Sequence, residues 1–142
     1  MASQNFKNHR QLVVSFHIIT FLLILALMIG AIVNLFHSTP GNQYSASLLV
    51  VVAIIFFALY YHVRAFPIKA QDRAIRAEEN LRYFILTGKP MDSRITMNQI
   101  IALRFASDEE LPELASRAAN EGLSNTAIKR SIHNWRPDFH RA

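Results

Sequence analysis

The sequence predicts an all-α membrane protein: a two-helix transmembrane hairpin, then a long membrane-proximal helix and a small cytoplasmic domain of three short helices. The 142 residues are 51% hydrophobic and only 18% charged. Two long segments, 12–36 and 44–63, contain no Asp, Glu, Lys or Arg. Residues 64–142 contain runs of helix formers separated by capping residues. The composition excludes a disordered or collagen-like chain, and the absence of Cys excludes a disulfide scaffold.

The two uncharged segments are long enough to cross a membrane. About 20 helical residues span a hydrocarbon core of roughly 30 Å, and segments 12–36 and 44–63 reach that length. Residues 37–43 between them contain Pro40 and Gly41, which favour a turn, and so short a loop makes the two helices antiparallel neighbours. We therefore predict transmembrane helices at 12–36 and 44–63, joined by an extracytoplasmic loop.

The basic residues predict the orientation. Lys7 and Arg10 precede the first span, the loop 37–43 has no charge, and 13 basic residues follow the second span. The positive-inside rule then places both termini in the cytoplasm, including the N-terminal segment 1–11. The first apolar run is too long for the core of a cleaved signal peptide, so we expect it to be retained.

Residues 64–90 predict the membrane-proximal helix, with Pro67 as its first residue or as a kink. Gly88 supplies the stop, and two i,i+4 ion pairs are expected, Asp72 with Arg76 and Glu78 with Arg82. Its basic residues would face the anionic cytoplasmic leaflet of the bilayer. One stripe has heptad spacing built from mostly small side chains, which favours close contact with another helix. These predicted interaction residues are Ala70, Ala74, Ala77, Leu81 and Phe84.

Residues 91–142 predict three short helices. A capping box at Thr96 opens the first, which continues to about Phe105, and one at Ser107 opens the second at 108–120. Ser124 caps the third, which is expected to extend from residue 125 to Trp135, with Trp135 anchored on the domain or on a partner. A net charge of +3 over residues 64–142 is too weak a field to predict nucleic-acid binding.

Two features of the spans predict interactions. Ala26, Gly30 and Asn34 form a small-residue face suited to seating the second span. His17 and His62 lie at similar predicted depth, where two imidazoles could ligate a haem between helices. His17, however, lies roughly 220° around the helix from Gly30, which favours two interfacial histidines instead.

Catalytic motifs are absent from the sequence, and the acidic residues fall on predicted helix starts and faces. We therefore expect no enzyme activity, no metal site and no cofactor. A pore lined by Thr20 and Asn34 would need several copies, because two spans cannot enclose a pathway.

Segments 69–82 and 97–138, with residues 4–9 and 44–46, carry a resemblance to a known family. The chain resembles an uncharacterised family of small bacterial two-span membrane proteins, some of them labelled transporter permeases. The resemblance covers essentially the whole chain and implies a bacterial inner-membrane location. It implies no activity and transfers no functional residue.

We expect a non-catalytic accessory or scaffold subunit of a larger bacterial inner-membrane complex, for example a respiratory or transport complex. Its partners would be other membrane-protein subunits, reached by helix packing. The alternative is a self-assembling small channel or sensor, in which the chain forms homo-oligomers. A haem-binding subunit using His17 and His62 is the third hypothesis.

Overall fold

The computed structural model describes residues 4–6, 8 and 12–138, so Lys7 and Arg10, on which the predicted orientation depends, lie outside the described residues. Every regular element in the described part is helical, which confirms the all-α fold class. A single antiparallel bridge joins Ala106 and Trp135 within that part. The chain divides into two compact units, the hairpin unit of residues 12–67 and the C-terminal unit of residues 68–142 with the N-terminal segment.

Two long apolar helices are present, as predicted. A π-helical stretch Ser15–Thr20 leads into α1 (Phe21–His37), and α2 covers Gln43–Thr87. The helix Ser15–His37, which includes the π-helical stretch, and α2 are each long and apolar enough to cross a membrane. Little of the most apolar part of either helix is buried. The apolar side chains are therefore turned outward, unlike those of a core helix in a soluble protein.

Aromatic side chains set the register of the antiparallel hairpin. The ring of Phe16 stacks on that of Tyr60, with 4.8 Å between centroids. The ring of Phe21 meets that of Phe57 edge-on at 6.0 Å. Offset and edge-on ring pairs of this kind stabilise a contact beyond the area they bury.

Continuing that register towards the loop places Ile24 level with Ala53 and Ala31 level with Ala46. All four are buried, and Ala53 is 0% exposed. The two helices are therefore packed through a seam of small residues, which lets their backbones approach closely.

The course of α2 excludes one of the two roles predicted for Pro67. The second span and the membrane-proximal helix form one helix of 45 residues with Pro67 inside it, so Pro67 is not a first helical residue. Proline removes one backbone hydrogen bond, and the helix-favouring residues on either side continue the helix past it. Gly88 ends α2 as predicted, with φ +69°, and its N–H donates to the Phe84 carbonyl oxygen at 2.8 Å.

The short helices are α3 (Met97–Leu103), α4 (Leu111–Glu121) and α5 (Asn125–Ser131). Thr96 and Gln99 form the predicted capping box of α3. The Gln99 side-chain amide also donates to the carbonyl oxygens of Ala118 and Leu123, at 3.1 and 3.0 Å. One residue thus caps α3 and holds the end of α4 against it.

The ends of the other two short helices also carry their predicted caps. Gly122 ends α4 in the left-handed region, with φ +62°. The Ser124 hydroxyl caps α5 by accepting from the Ala127 N–H. These two local motifs place α4 and α5 on either side of a three-residue connection.

The predicted start of α4 is wrong. The helix begins at Leu111 instead of residue 108, with Pro112 in its first turn. Proline has no N–H to donate, so it fits the first turn but not the interior that the earlier start would give it. The Ser107 hydroxyl accepts from the Glu110 N–H, at 3.4 Å, within the preceding turn. The pKa of Glu109 in this turn is lowered by hydrogen bonds from its own backbone N–H and from Ser107.

The predicted end of α5 is also wrong, because the chain leaves the helix at Ile132 and not at Trp135. The Glu110 carboxylate accepts from the backbone N–H groups of His133 and Asn134, at 3.3 and 3.0 Å. The extended chain then places the Trp135 ring 5.1 Å from the Phe105 ring. Tertiary contact with Phe105 thus takes precedence over one further helical turn.

Helices α2 to α5 enclose one core, with Phe105, Leu103, Leu111 and Ile128 as its largest fully buried side chains. Arg94 lies in the loop between α2 and α3, and its guanidinium donates to the Asn120 side-chain oxygen in α4 at 3.0 Å. Its guanidinium also hydrogen bonds to Asp92 and lowers the pKa of that carboxyl to about 2.

A partly buried ion cluster joins α2 to the turn before α4. The Arg82 guanidinium contacts the Glu79 carboxylate at 3.0 Å and that of Asp108 at 2.6 Å. It also donates to the Ala106 carbonyl oxygen at 2.8 Å. The Glu79 side chain is only 8% exposed, and its carboxylate is paired with Arg82 and lies 3.7 Å from Arg136.

Replacing Ala53 by Leu should open the hairpin, because a fully buried alanine position cannot accept three more heavy atoms. Overpacking of this kind costs about 1–3 kcal/mol. The measurement is the yield of a disulfide between two cysteines introduced together, as Phe21→Cys and Phe57→Cys, in a chain that has no other cysteine. Ala58→Leu, at an exposed position, is the control and should leave the disulfide yield unchanged. Equal yields in both variants would mean that Ala53 is outside the seam.

Replacing Arg82 by Ala should lower the free energy of unfolding of the C-terminal unit by about 3 kcal/mol, because Glu79 would stay buried with its principal partner removed. Hydrogen exchange of amides in α3 and α4 measures this loss. Arg76→Ala, at an exposed position, is the matched control. Combining Arg82→Met with Glu79→Leu should recover much of the stability, since it removes both charges. A single variant within about 0.5 kcal/mol of the wild type would contradict a structural role for the cluster.

Candidate interaction surfaces

The predicted small-residue face of α1 is not the contact between the two spans. Ala26, Gly30 and Asn34 are exposed, whereas Ile24 and Ala31 are buried in the seam. A Cβ atom added at Gly30 would meet nothing within 4 Å. The prediction that this face seats the second span is therefore wrong. As contacts with another protein, these three residues stay a prediction, and we call them the α1 outer face.

The heptad stripe of α2 is also exposed. Its residues lie outside the core of the C-terminal unit, which α2 contacts through Ile75, Glu79 and Arg82, although Ala74 and Leu81 each border a cleft beside Arg136. Leu81 and Phe84 are 60% and 52% exposed. We call this set the α2 outer stripe: Ala70, Ala74, Ala77, Leu81 and Phe84.

The distribution of charged and apolar residues between the two sides of α2 is unusual. The side that faces the core includes two charged residues, Glu79 and Arg82, while the opposite side exposes Leu81 and Phe84. Ile85, beside the stripe, is 72% exposed. Contiguous exposed apolar side chains of this size mark interaction surfaces. Within the C-terminal unit, this surface is the strongest candidate for a contact with another chain.

The sequence reasoning missed the ion cluster. It paired Arg82 with Glu78 at i,i+4, but Arg82 bonds to Glu79 at i,i+3 and to Asp108 across the fold. Helix spacing allows Arg82 to pair with either Glu78 or Glu79. Asp108, which the sequence does not locate, turns the Arg82 side chain to the side of Glu79. Glu78 is consequently left exposed without an ion-pair partner among the described residues.

A polar cleft of about 480 Å³ opens beside the cluster within the C-terminal unit. Both acidic and basic residues line it, among them Glu78, Glu79, Arg104 and Arg136. Arg104 contacts the Asp138 carboxylate at 3.3 Å. Because the charges of the lining compensate one another, the cleft offers no single-sign field to a charged ligand.

The two candidate haem ligands point in different directions. His17 is half-buried and its Nδ1 atom lies 3.0 Å from the Val13 carbonyl oxygen. His62 is exposed and stacks on Phe66 at 5.0 Å. It lies about 200° around α2 from Tyr60, the residue that faces α1. The geometry therefore gives the haem hypothesis no support. The argument from the 220° between His17 and Gly30 took Gly30 as the contact between the helices, whereas the structure places that contact at Ile24 and Ala31.

The remaining candidates are engaged within the chain. The Thr20 hydroxyl donates to the Ser15 carbonyl oxygen at 3.0 Å, so its polar group is satisfied inside its own helix. Trp135 is half-buried on Phe105, which makes it an anchor of the small domain. Within the described ranges, no group of three or more His, Cys, Asp or Glu side chains could hold a metal ion.

The N-terminal segment belongs to the C-terminal unit. The Asp138 N–H donates to the Gln4 side-chain oxygen at 2.7 Å. The Arg130 guanidinium lies 5.5 Å from the centre of the Phe6 ring, a cation–π distance. The two ends of the described chain therefore lie side by side.

Comparison with known proteins gives one match. No curated protein and no solved structure matches the chain. The family described as "Family of unknown function (DUF6526)" matches residues 1–142, the full length. The resemblance to an uncharacterised family is thereby confirmed: the chain belongs to the family of unknown function DUF6526.

Proposed function

We propose that this chain is a non-catalytic accessory or scaffold subunit of a larger bacterial inner-membrane complex, such as a respiratory or transport complex. The observation that carries the proposal is the uncovered α1 outer face. Ala26, Gly30 and Asn34 lie exposed on a helix whose other side is used by the hairpin. Membrane helices associate through small residues that let backbones approach. A helix of a partner subunit fits that requirement.

The space around Gly30 supports this assignment. Nothing lies within 4 Å of the position of a Cβ atom there, and φ at Gly30 is not positive, so the backbone itself does not require glycine. The glycine thus has no role within the hairpin. A close approach by another helix gives it one, because a larger side chain at this point would hold that helix away.

Asn34 adds a polar group to the same face. Its side chain has no hydrogen-bond partner among the described residues. It lies less than one turn before the end of α1 at His37. A neighbouring helix that covers Gly30 would bring backbone or side-chain acceptors within reach of this amide.

The proposed topology is two spans with both termini in the cytoplasm. Its support is the length and apolarity of the two helices and the contact between the chain ends. Gln4 and Asp138 can bond only if the segments before and after the hairpin are on the same side of the membrane. The excess of basic residues in these segments selects the cytoplasmic side.

The proposal predicts stoichiometric companions that depend on Gly30. The tagged chain, at native expression level and in mild detergent, should co-purify with at least one other membrane protein, identified by mass spectrometry. Gly30→Leu should lower its recovery about tenfold, since overpacking a helix contact costs about 1–3 kcal/mol. Gly30→Leu should not disturb the hairpin, because the added side chain meets open space.

Ala58→Leu is the matched control, because it also enlarges an exposed small residue within an apolar helix. It should leave companion recovery unchanged. A chain that purifies alone, as a monomer or as a homodimer without companions, would overturn the proposal. Equal losses in the two variants would assign the effect to the membrane insertion of the hairpin and not to the α1 outer face.

A further inference from the structure

We propose that two copies of this chain associate in parallel through the α2 outer stripe. The five stripe residues are spaced by four, three, four and three, which is the a/d spacing of a two-stranded coiled coil. All five are exposed, whereas α2 contacts its own core through Ile75, Glu79 and Arg82; Ala74 and Leu81 lie at the edge of the stripe, where each also lines a cleft beside Arg136. A second helix can therefore lie along the stripe without displacing any contact of the C-terminal unit.

Charge complementarity identifies the partner as a second copy. With Ala74 at an a position and Ala77 at a d position, Arg73 occupies a g position and Glu78 the following e position. In a parallel coiled coil, g residues meet the e residues of the other helix, and opposite charges there set partner and orientation. Arg73 of each copy thus meets Glu78 of the other, which gives two symmetrical ion pairs.

Both charged groups are available for this contact. Arg73 and Glu78 are exposed, and neither has an ion-pair partner among the described residues. Glu78 is left available because Arg82 is held by Glu79 and Asp108. Within one helix, Arg73 and Glu78 are five residues apart and do not face each other. Their arrangement on the flanks of an apolar stripe is therefore explained by a second helix.

The next pair of flanking positions continues the seam. Asn80 is the following g residue and Ile85 the following e residue. Neither introduces a charge, and Ile85 is 72% exposed. In the parallel dimer Ile85 extends the apolar contact formed by Leu81 and Phe84, where the stripe changes from small to large side chains.

The parallel orientation rests on the proposed membrane topology. Two copies inserted the same way in one bilayer run their α2 helices in the same direction. Confinement to the membrane also raises the effective concentration of one copy for the other. A seam of fewer than three heptads can then associate where the same segment free in water would not.

Cysteine cross-linking tests the register of the seam. The chain has no cysteine, so single substitutions report on one position each. In membrane vesicles from cells that express the full chain, Ala74→Cys and Ala77→Cys should form disulfide-linked dimers. Arg76→Cys, exposed but off the stripe, should not. Equal yields at all three positions, or disulfides to a different protein, would overturn the proposal.

Charge reversal tests the ion pairs independently of folding. In the Ala77→Cys background, Arg73→Glu or Glu78→Arg should raise the dimer dissociation constant about fivefold, or about 1 kcal/mol over two symmetrical pairs. The double reversal should restore the original dimer yield, because it rebuilds both pairs with exchanged charges. A double variant as weak as the single ones, or singles without effect, would refute the parallel contact.

These outcomes are separable from those of the proposed function. Companion recovery depends on Gly30, whereas homotypic cross-linking depends on Arg73 and Glu78. A chain that cross-links to itself but purifies without companions would refute the accessory role and keep the dimer. A chain with companions and no homotypic cross-link would refute the dimer and keep the accessory role.

Discussion

The ion cluster around Arg82 decides which side of α2 faces the core of the C-terminal unit. A guanidinium removed from water needs several acceptors, and Arg82 finds them in Glu79, Asp108 and the Ala106 carbonyl oxygen. An ion pair of this kind specifies orientation more than it adds stability, since an apolar pair of the same size would serve as well or better. Its consequence here is that Leu81 and Phe84 are left outside.

The hairpin follows a different physical rule. Its two helices are packed through buried alanines, as is typical of helices in lipid, where apolar side chains gain little by burial and small residues allow close packing. Ala31, Ala46 and Ala53 supply that seam, and aromatic pairs fix its register at one end. Small residues therefore do form the contact between the helices, but these residues are the alanines of the seam and not Gly30. The alanines of the seam were equally small, and only the packing of both helices distinguishes the two faces.

The features that could be predicted from the sequence are those in which a residue acts on its own backbone. Thr96 and Ser124 cap helices through their hydroxyl groups, and Gly88 and Gly122 adopt the positive φ that ends a helix. Length and apolarity alone predicted the two long helices. These signals need no knowledge of the tertiary structure.

The wrong predictions mostly concern features that depend on distant contacts. The end of α5 depends on the Phe105 ring that Trp135 contacts, and the partner of Arg82 depends on where Asp108 lies. The start of α4 is an exception, because the missing N–H of Pro112 already disfavours the earlier start in the sequence and here outweighs the capping pattern at Ser107.

The α2 outer stripe and the α1 outer face have different energetic requirements, which is why we propose different partners for them. Burying an exposed Leu or Phe side chain in an aqueous compartment contributes about 1.5–3 kcal/mol, so the stripe can associate by the hydrophobic effect. The α1 outer face lies on a helix for which a membrane location is proposed; in lipid that term is absent, and close packing must supply the affinity. A second copy presents an identical stripe with complementary flanking charges. The α1 outer face has no such charges and depends on the shape of the helix that covers it, which a helix of another subunit can provide without competing for the stripe.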